Sequence, residues 1–351
     1  MKVVELAMVS ILGFAAVASA GKWTKSGEWW GTSMGGYSVA VAPKKAGKLV
    51  KFQYQKLDVI RPGESDGAFF WPAPQHRWKP TANWPPPASF TDSAYSVSFS
   101  PDSSRIFMVG PPNPITKLQV TKRFGFDSTA NALVLTYVTT NFGTDSARHF
   151  APWETSRGYT GSLLFFPKAT KFKFVNPTGS GLQPDLAMTK DDSLGWYQDA
   201  GTKTGKFFRD GGEGWLAQLK DSLLFVKHYV DVDSTRFSPW ESDVEIYAEN
   251  ALIENELTGP WTAIAPGDSL VWTTKWTCAI LPKTANLQVG SADLKYAARA
   301  LARSAAMTSI RRVPRALLPA GARPLVDVRG RLLSKSDRAL RAGSISVLPM
   351  P

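Results

Sequence analysis

Two glutamates occupy the same short sequence pattern. The segments FAPWETSR (Phe150–Arg157) and FSPWESDVEIY (Phe237–Tyr247) share Phe-x-Pro-Trp-Glu, which places Glu154 and Glu241 in matching contexts. The pattern predicts proline at the edge of a strand, tryptophan packed inward and glutamate near the rim of a sheet. Two carboxylates at matching rims could face one cavity and exchange protons with a substrate. The alternative is a structural corner used twice, with both glutamates in solvent.

An aromatic and proline-rich segment forms a second candidate feature. The stretch FFWPAPQHRWKPTANWPPP, residues 69–87, holds three tryptophans and six prolines. So much proline cannot lie inside a helix or a central strand, so the segment is predicted to be a stiff loop. Such a loop holds Trp71, Trp78 and Trp84 in a fixed relation at little entropic cost on binding. The loop is therefore predicted to roof a cleft, or alternatively to be a structural lid whose tryptophans touch no ligand.

The candidate glutamates and tryptophans must be positioned by strands, because hydrophobic residues recur at every second position along most of the chain. Alternating segments include KLVKFQYQK, AYSVSF, SLLFVKHYV and SDVEIYAE, with turn clusters such as RPGESDG and RDGGEG between them. Many such segments without helical crossovers favour antiparallel pairing. The sequence predicts an all-β protein, a large antiparallel β-sandwich over residues 21–290.

Composition sets the class of protein and limits its partners. The chain has 351 residues, 43% of them hydrophobic and 20% charged, which is typical of a globular protein. Residues 291–351 carry 12 of the 41 Lys and Arg but only 3 of the 29 Asp and Glu, so most of the net charge of +12 lies there. Because the body is nearly neutral, a nucleic-acid partner is not expected.

The N-terminal segment is typical of an export signal. An apolar run from Leu6 to Val17 ends in Ala18-Ser19-Ala20, which favours a signal peptide over residues 1–20 and cleavage after Ala20. The alternative is a retained anchor. We expect no other membrane span and a location in the periplasm, at the cell surface or outside the cell. The single cysteine, Cys278, alternates with Trp272 and Trp276 and is predicted to be a buried apolar residue.

Five blocks in order carry a resemblance to a known family. They are FFWPAPQHRW with NWPPP, then APWETSR leading to GSLLFFP, GWLAQLKDSLLFVKHY, VEIYAEN, and NELTGPWTAIAPGDSLVWTTKW. Over about residues 25–283 the chain resembles an uncharacterised family of exported bacterial domains grouped with galactose-mutarotase-like proteins. The resemblance implies a β-supersandwich, a fold that hosts epimerases, polysaccharide lyases and non-catalytic sugar binders.

The resemblance also implies roles for the candidate residues. A mutarotase uses histidine and glutamate as acid and base, but the Asn- and Arg-rich block that precedes its histidine is missing here, which favours binding over epimerisation. Of His76, His149 and His228, the last alternates with valines and is predicted to be a packed sheet residue, so His76 is the better acid. Candidate bases are Glu154, Glu241, Glu245, Glu254 and Glu256. The predicted site has catalytic His76, Glu154 and Glu241, and ligand-binding Trp71, Arg77, Trp78, Trp84, Trp153 and Arg157.

The remaining predictions concern cofactors, function and the C-terminal tail. No Cys-x-x-Cys pair, His-Glu-x-x-His motif or phosphate loop is present, so we expect no metal and no cofactor. The expected function is an exported carbohydrate-binding or carbohydrate-processing protein, or alternatively a non-catalytic structural or adhesive module of the cell envelope. The segment SADLKYAARALARSAAM has helical composition and lies in an Ala- and Arg-rich linker, residues 291–322. Residues 323–351 resemble a sorting tail read by an outer-membrane secretion machinery, with a plain disordered basic tail as the alternative.

Overall fold

Two antiparallel β-sheets stacked face to face make up most of the protein in a computed structural model. The structure describes residues 21–79, 84–169, 189–191, 193–202, 204–305 and 311–313. The predictions of a signal peptide at residues 1–20 and of a sorting tail at residues 323–351 lie outside this described part. None of the described helices is long and apolar enough to cross a bilayer.

The elements of the described residues follow in chain order: β1 (Thr24–Ser26), β2 (Trp29–Met34), β3 (Tyr37–Ala42), β4 (Lys48–Tyr54), β5 (Leu57–Asp58), β6 (Ala68–Ala73), α1 (Ala88–Thr91), β7 (Ser96–Phe99), β8 (Ile106–Val109), β9 (Leu118–Asp127), β10 (Ala132–Asn141), β11 (Arg148–Gly158), β12 (Leu163–Pro167), β13 (Thr189–Lys190), β14 (Leu194–Gln198), β15 (Gly205–Arg209), β16 (Trp215–Lys220), β17 (Leu223–His228), β18 (Val244–Glu249), β19 (Leu252–Thr258), β20 (Thr262–Ile264), β21 (Ser269–Ile280), α2 (Ala292–Ser304) and β22 (Arg311–Val313).

Each sheet contains eleven strands. The first sheet has the order β1-β2-β3-β4-β6-β11-β19-β18-β15, with β5 beside β4 and β20 beside β11. The second sheet has the order β13-β14-β12-β16-β17-β21-β10-β9-β8-β7, with β22 beside β21. The predicted antiparallel sandwich is confirmed, and β11 lies near the middle of the first sheet.

Alternation along the strands supplies two hydrophobic layers. Between the sheets, Phe52, Phe225 and Trp276 form mutual ring contacts with centroids 5.1 to 5.7 Å apart. In β12, Leu164 and Phe166 belong to this layer, whereas Leu163 and Phe165 point to the outer face of the second sheet. Because this part of the second sheet is covered on both faces, β12 and its neighbours β14, β16 and β17 are buried at nearly every position.

Helix α2 covers the outer face of the second sheet. Its residues Leu294, Ala298 and Ala302 recur every four positions and are buried in the layer formed with Trp196 and Trp215. The predicted helix is therefore present, but this part of the segment assigned to a linker packs on the sandwich. Beyond α2, β22 pairs with the start of β21. The packed unit thus extends past residue 290 in the described residues.

Candidate functional site

Glu154 lies between the two sheets and is fully buried. Its carboxylate accepts hydrogen bonds from the Tyr137 hydroxyl (2.9 Å), the Thr274 hydroxyl (2.6 Å) and the Trp276 indole N–H (3.0 Å). The Lys227 ammonium lies 3.3 Å away, and burial lowers the pKa of that lysine to about 8. A carboxylate that is enclosed by four donors from the core is a structural group, not one that can meet a substrate.

The opposite, outer face of the first sheet carries a different set of polar residues. In one row across neighbouring strands, Thr155 pairs with Glu256, Glu256 with Glu245, and Glu245 with Phe208. In the next row, Arg157 pairs with Glu254. Because side chains alternate across a strand, Glu154 and these residues point to opposite sides of the same sheet. The expectation that Glu154 shares a cavity with Glu241 therefore does not match the geometry.

Lys206 stands at the centre of three buried carboxylates, which we call the carboxylate cluster: Glu241, Glu245 and Glu256. The Lys206 ammonium lies 2.7 Å from Glu245 Oε2 and 2.8 Å from Glu256 Oε2. Burial by itself would lower the pKa of Lys206, but the three carboxylates outweigh it and raise that pKa. The lysine is therefore a permanent cation in the site.

Two carboxyl groups of the cluster, those of Glu241 and Glu256, hold protons more tightly than an ordinary glutamate. Burial raises the pKa of Glu256 to about 7, against the opposing effect of Lys206, and Glu245 adds repulsion. Burial also raises the pKa of Glu241 well above its usual range, with a further contribution from Glu245, to which it is hydrogen-bonded. A carboxyl group that titrates near neutral pH, as Glu256 does, can donate or accept a proton, and carboxyl groups with raised pKa values are frequent at functional sites.

Aromatic rings flank the carboxylate cluster. The Trp153 indole N–H donates to Glu256 Oε2 at 2.6 Å, and the Lys206 ammonium lies 4.6 Å from the centroid of the Trp153 ring. Trp78 stacks on Trp153 with centroids 6.0 Å apart, and Trp71 meets Trp153 edge-on at 5.0 Å. Trp84 contacts Trp71 at 5.6 Å and is 57% exposed, whereas the other three tryptophans are buried. The proline-rich segment thus packs against the end of the cluster.

The remaining predicted residues lie around this centre. The His76 ring contacts Trp240, the residue before Glu241, with centroids 4.1 Å apart, and burial followed by Arg77 lowers the pKa of the histidine. The Arg77 guanidinium lies 4.9 Å from the Trp261 ring. Arg157 donates to Glu254 at 2.8 Å on the outer face. His76 and Arg77 thus belong to the rim, next to the segment that carries Glu241.

Sequence reasoning missed Lys206 and gave Glu245 and Glu256 only as alternatives to Glu154. The signal was present in the strand patterns. In VEIYAE, Val244 and Ile246 point inward, so Glu245 must point outward. Most residues of β15, β18 and β19 that point to the outer face are polar or charged. Several of them are buried, which is unusual for charged side chains.

Comparison with known proteins places the chain in a family. The family described as Domain of unknown function (DUF4380) matches residues 41–279. The chain belongs to this family. No curated protein matches the chain.

Solved structures agree with the fold of this DUF4380 domain. A protein of Escherichia coli K12 described as a candidate aldose 1-epimerase aligns with a TM-score of 0.53 and 12% identity, covering 72% of this chain and 99% of its own. A galactose mutarotase related enzyme of Lactobacillus acidophilus aligns with a TM-score of 0.51 and 9% identity, covering 74% of this chain and 100% of its own. At such identities the likeness shows the galactose-mutarotase-like β-sandwich alone.

Proposed function

We propose that the outer face of the first sheet binds a carbohydrate beside the carboxylate cluster. Three buried polar atoms carry the proposal: Trp71 Nε1, Thr155 Oγ1 and Glu256 Oε1 have no hydrogen-bond partner among the described residues. They belong to three neighbouring strands. Trp71 lies in β6 and Thr155 in β11, which pairs with β6; Glu256 lies in β19, directly opposite Thr155. Buried polar groups are normally satisfied, so unpaired ones on one face favour a polar ligand.

The surrounding chemistry suits a sugar. Indole rings pack on the apolar face of a pyranose ring, and carboxylates accept hydrogen bonds from its hydroxyls. The site combines both features, because Trp153 contacts Glu256 and Lys206 and packs against Trp71 and Trp78. Glu241 and Glu256 also provide proton donors and acceptors, so the site supports sugar processing as well as binding.

Titration of the intrinsic tryptophan fluorescence with neutral, amino and acidic sugars tests this proposal. We expect a saturable change with the wild-type protein and its loss in Glu256→Gln, because Trp153 and Lys206 share that carboxylate. Glu213→Gln, which changes an exposed ion pair to Arg299, is the matched control and should bind as the wild type. A flat response of the wild type to every sugar would refute the proposal.

Packing of the aromatic segment favours a second candidate, a structural or adhesive module without a small-molecule site. Trp71, Trp78 and Trp153 are at most 5% exposed, and Glu154 and Glu241 lie on different faces of the first sheet. This candidate predicts a flat response to all sugars together with a large loss of stability in Trp78→Ala. A saturable response that Glu256→Gln abolishes would exclude it.

Export is the third part of the proposal. It rests on the apolar run and the Ala-Ser-Ala sequence within residues 1–20. Fractionation of cells that express the full chain, followed by N-terminal sequencing of the product, should find a mature protein that begins at Gly21. An uncleaved chain in the cytoplasm would contradict this part alone.

A further inference from the structure

Charge is unevenly distributed on the outer face of the first sheet. The carboxylate cluster contains three carboxyl groups and one ammonium, that of Lys206. The neighbouring Glu254 is balanced separately, since it receives a hydrogen bond from Arg157 at 2.8 Å. Within the described residues, the cluster therefore has two more carboxyl groups than cations at hydrogen-bond distance.

Protons bound to carboxyl groups of the cluster compensate for the lack of a second cation. Glu241 and Glu256 are both buried and repelled by Glu245, and each has a raised pKa. A second cation placed among these groups would allow them to ionise and would convert the repulsion into attraction. A ligand carboxylate or phosphate would instead increase the repulsion.

Geometry leaves a place for such a cation. Glu256 uses Oε2 for both Trp153 and Lys206, whereas its Oε1 is buried without a partner among the described residues. Thr155 lies opposite Glu256 on the neighbouring strand, and its buried hydroxyl also has no hydrogen-bond partner among the described residues. The rings of Trp153 and Phe208 already lie 4.6 and 5.0 Å from the Lys206 ammonium, which shows that aromatic faces accompany a positive charge here.

We infer that the site takes a sugar that carries a protonated amine, with the amine directed at Glu256 and Glu241. The inference rests on the proposed function and specifies its ligand class. An ammonium can donate to Glu256 Oε1, and the sugar ring lies against the indole of the neighbouring tryptophans. An N-acetylated sugar presents the same ring without the charge, and a uronic acid presents the opposite charge.

Calorimetric titration of the full-length protein with four sugars tests the inference. The probes are glucosamine, N-acetylglucosamine, glucose and glucuronate at pH 7. Charge-assisted hydrogen bonds are about twice as strong as neutral ones, so we expect glucosamine to bind at least about tenfold more tightly than N-acetylglucosamine and glucose. Glucuronate should bind most weakly. At pH 5 the preference should shrink, because Glu256, with a pKa of about 7, becomes protonated.

A substitution that keeps the shape of a glutamate and removes its charge tests whether charge determines the preference. Glu241→Gln mimics the protonated acid and should fold, yet it should reduce the preference for glucosamine over N-acetylglucosamine several-fold. If Glu241→Gln fails to fold, the wild-type titration at pH 5 takes its place, and Glu213→Gln is the control with an unchanged preference. Sugars that bind without preference for glucosamine would overturn the inference but leave the proposed function standing. Absence of binding by all four sugars would overturn both.

Discussion

Replacing Glu154 by Gln should destabilise the protein and leave ligand binding intact. The substitution keeps the shape of the side chain but removes the negative charge between the sheets. Lys227, which is fully buried and 3.3 Å from Glu154, would lose its counter-charge. Removing one partner of a buried ion pair costs about 3–5 kcal/mol, because the remaining charge is buried without compensation.

Urea unfolding followed by circular dichroism measures this loss. Glu213→Gln is a matched control, since its ion pair with Arg299 is partly exposed to solvent and should contribute at most about 1 kcal/mol. A loss below about 1 kcal/mol in Glu154→Gln would refute the structural role of this glutamate. A selective loss of sugar binding with unchanged stability would show that Glu154 belongs to the ligand site after all.

Three further outcomes follow from the structure. Burial lowers the pKa of Lys122 to about 7, below its unfolded value of about 10.4. Between these pH values the unfolded chain binds more protons than the folded chain, so stability should rise with pH. The urea midpoint should therefore rise from pH 7 to 10 in the wild type and rise less in Lys122→Met. Deleting residues 291–351 should lower the melting temperature, because α2 covers Trp196 and Trp215; an unchanged melting temperature would contradict the role of the helix. Trp84→Ala should weaken sugar binding without loss of stability, because this ring is 57% exposed; a large drop in melting temperature would instead assign Trp84 to a structural lid.

Period-two hydrophobicity was sufficient to predict the architecture. Alternation in KLVKFQYQK and SDVEIYAE, with turn clusters between the strands, specifies antiparallel pairing. The sequence does not specify which of the two faces of a strand meets the other sheet when both are covered. In β12 every residue is buried, so its pattern carries no face signal.

The candidate site was harder to predict for the same reason. The shared Phe-x-Pro-Trp-Glu pattern indicates similar local surroundings, but Glu154 lies within β11 and Glu241 precedes β18. The Glu154 side chain points between the sheets to Tyr137, whereas Glu241 lies beside Glu245 on the outer face. The aromatic segment was predicted to be a stiff loop, which is wrong for its first residues, because residues 69–73 belong to strand β6 and pair with β11. The structure nevertheless brings Trp71, Trp78 and Trp84 together. Lys206 could not be assigned, because the two glutamates of its ion pairs are 39 and 50 residues away in the chain and meet it only through strand pairing.

Comparison of two threonine variants tests most directly whether the outer face of the first sheet is the ligand site. Thr155 has a buried hydroxyl without a partner among the described residues, whereas the buried Thr262 hydroxyl donates to the Pro260 carbonyl at 2.9 Å. Titration with glucosamine and with glucose, together with urea unfolding, should show that Thr155→Val weakens binding and does not reduce stability, because no internal hydrogen bond is lost. Thr262→Val should lose about 1 kcal/mol of stability and keep its affinity. Undiminished sugar affinity in Thr155→Val would contradict the account.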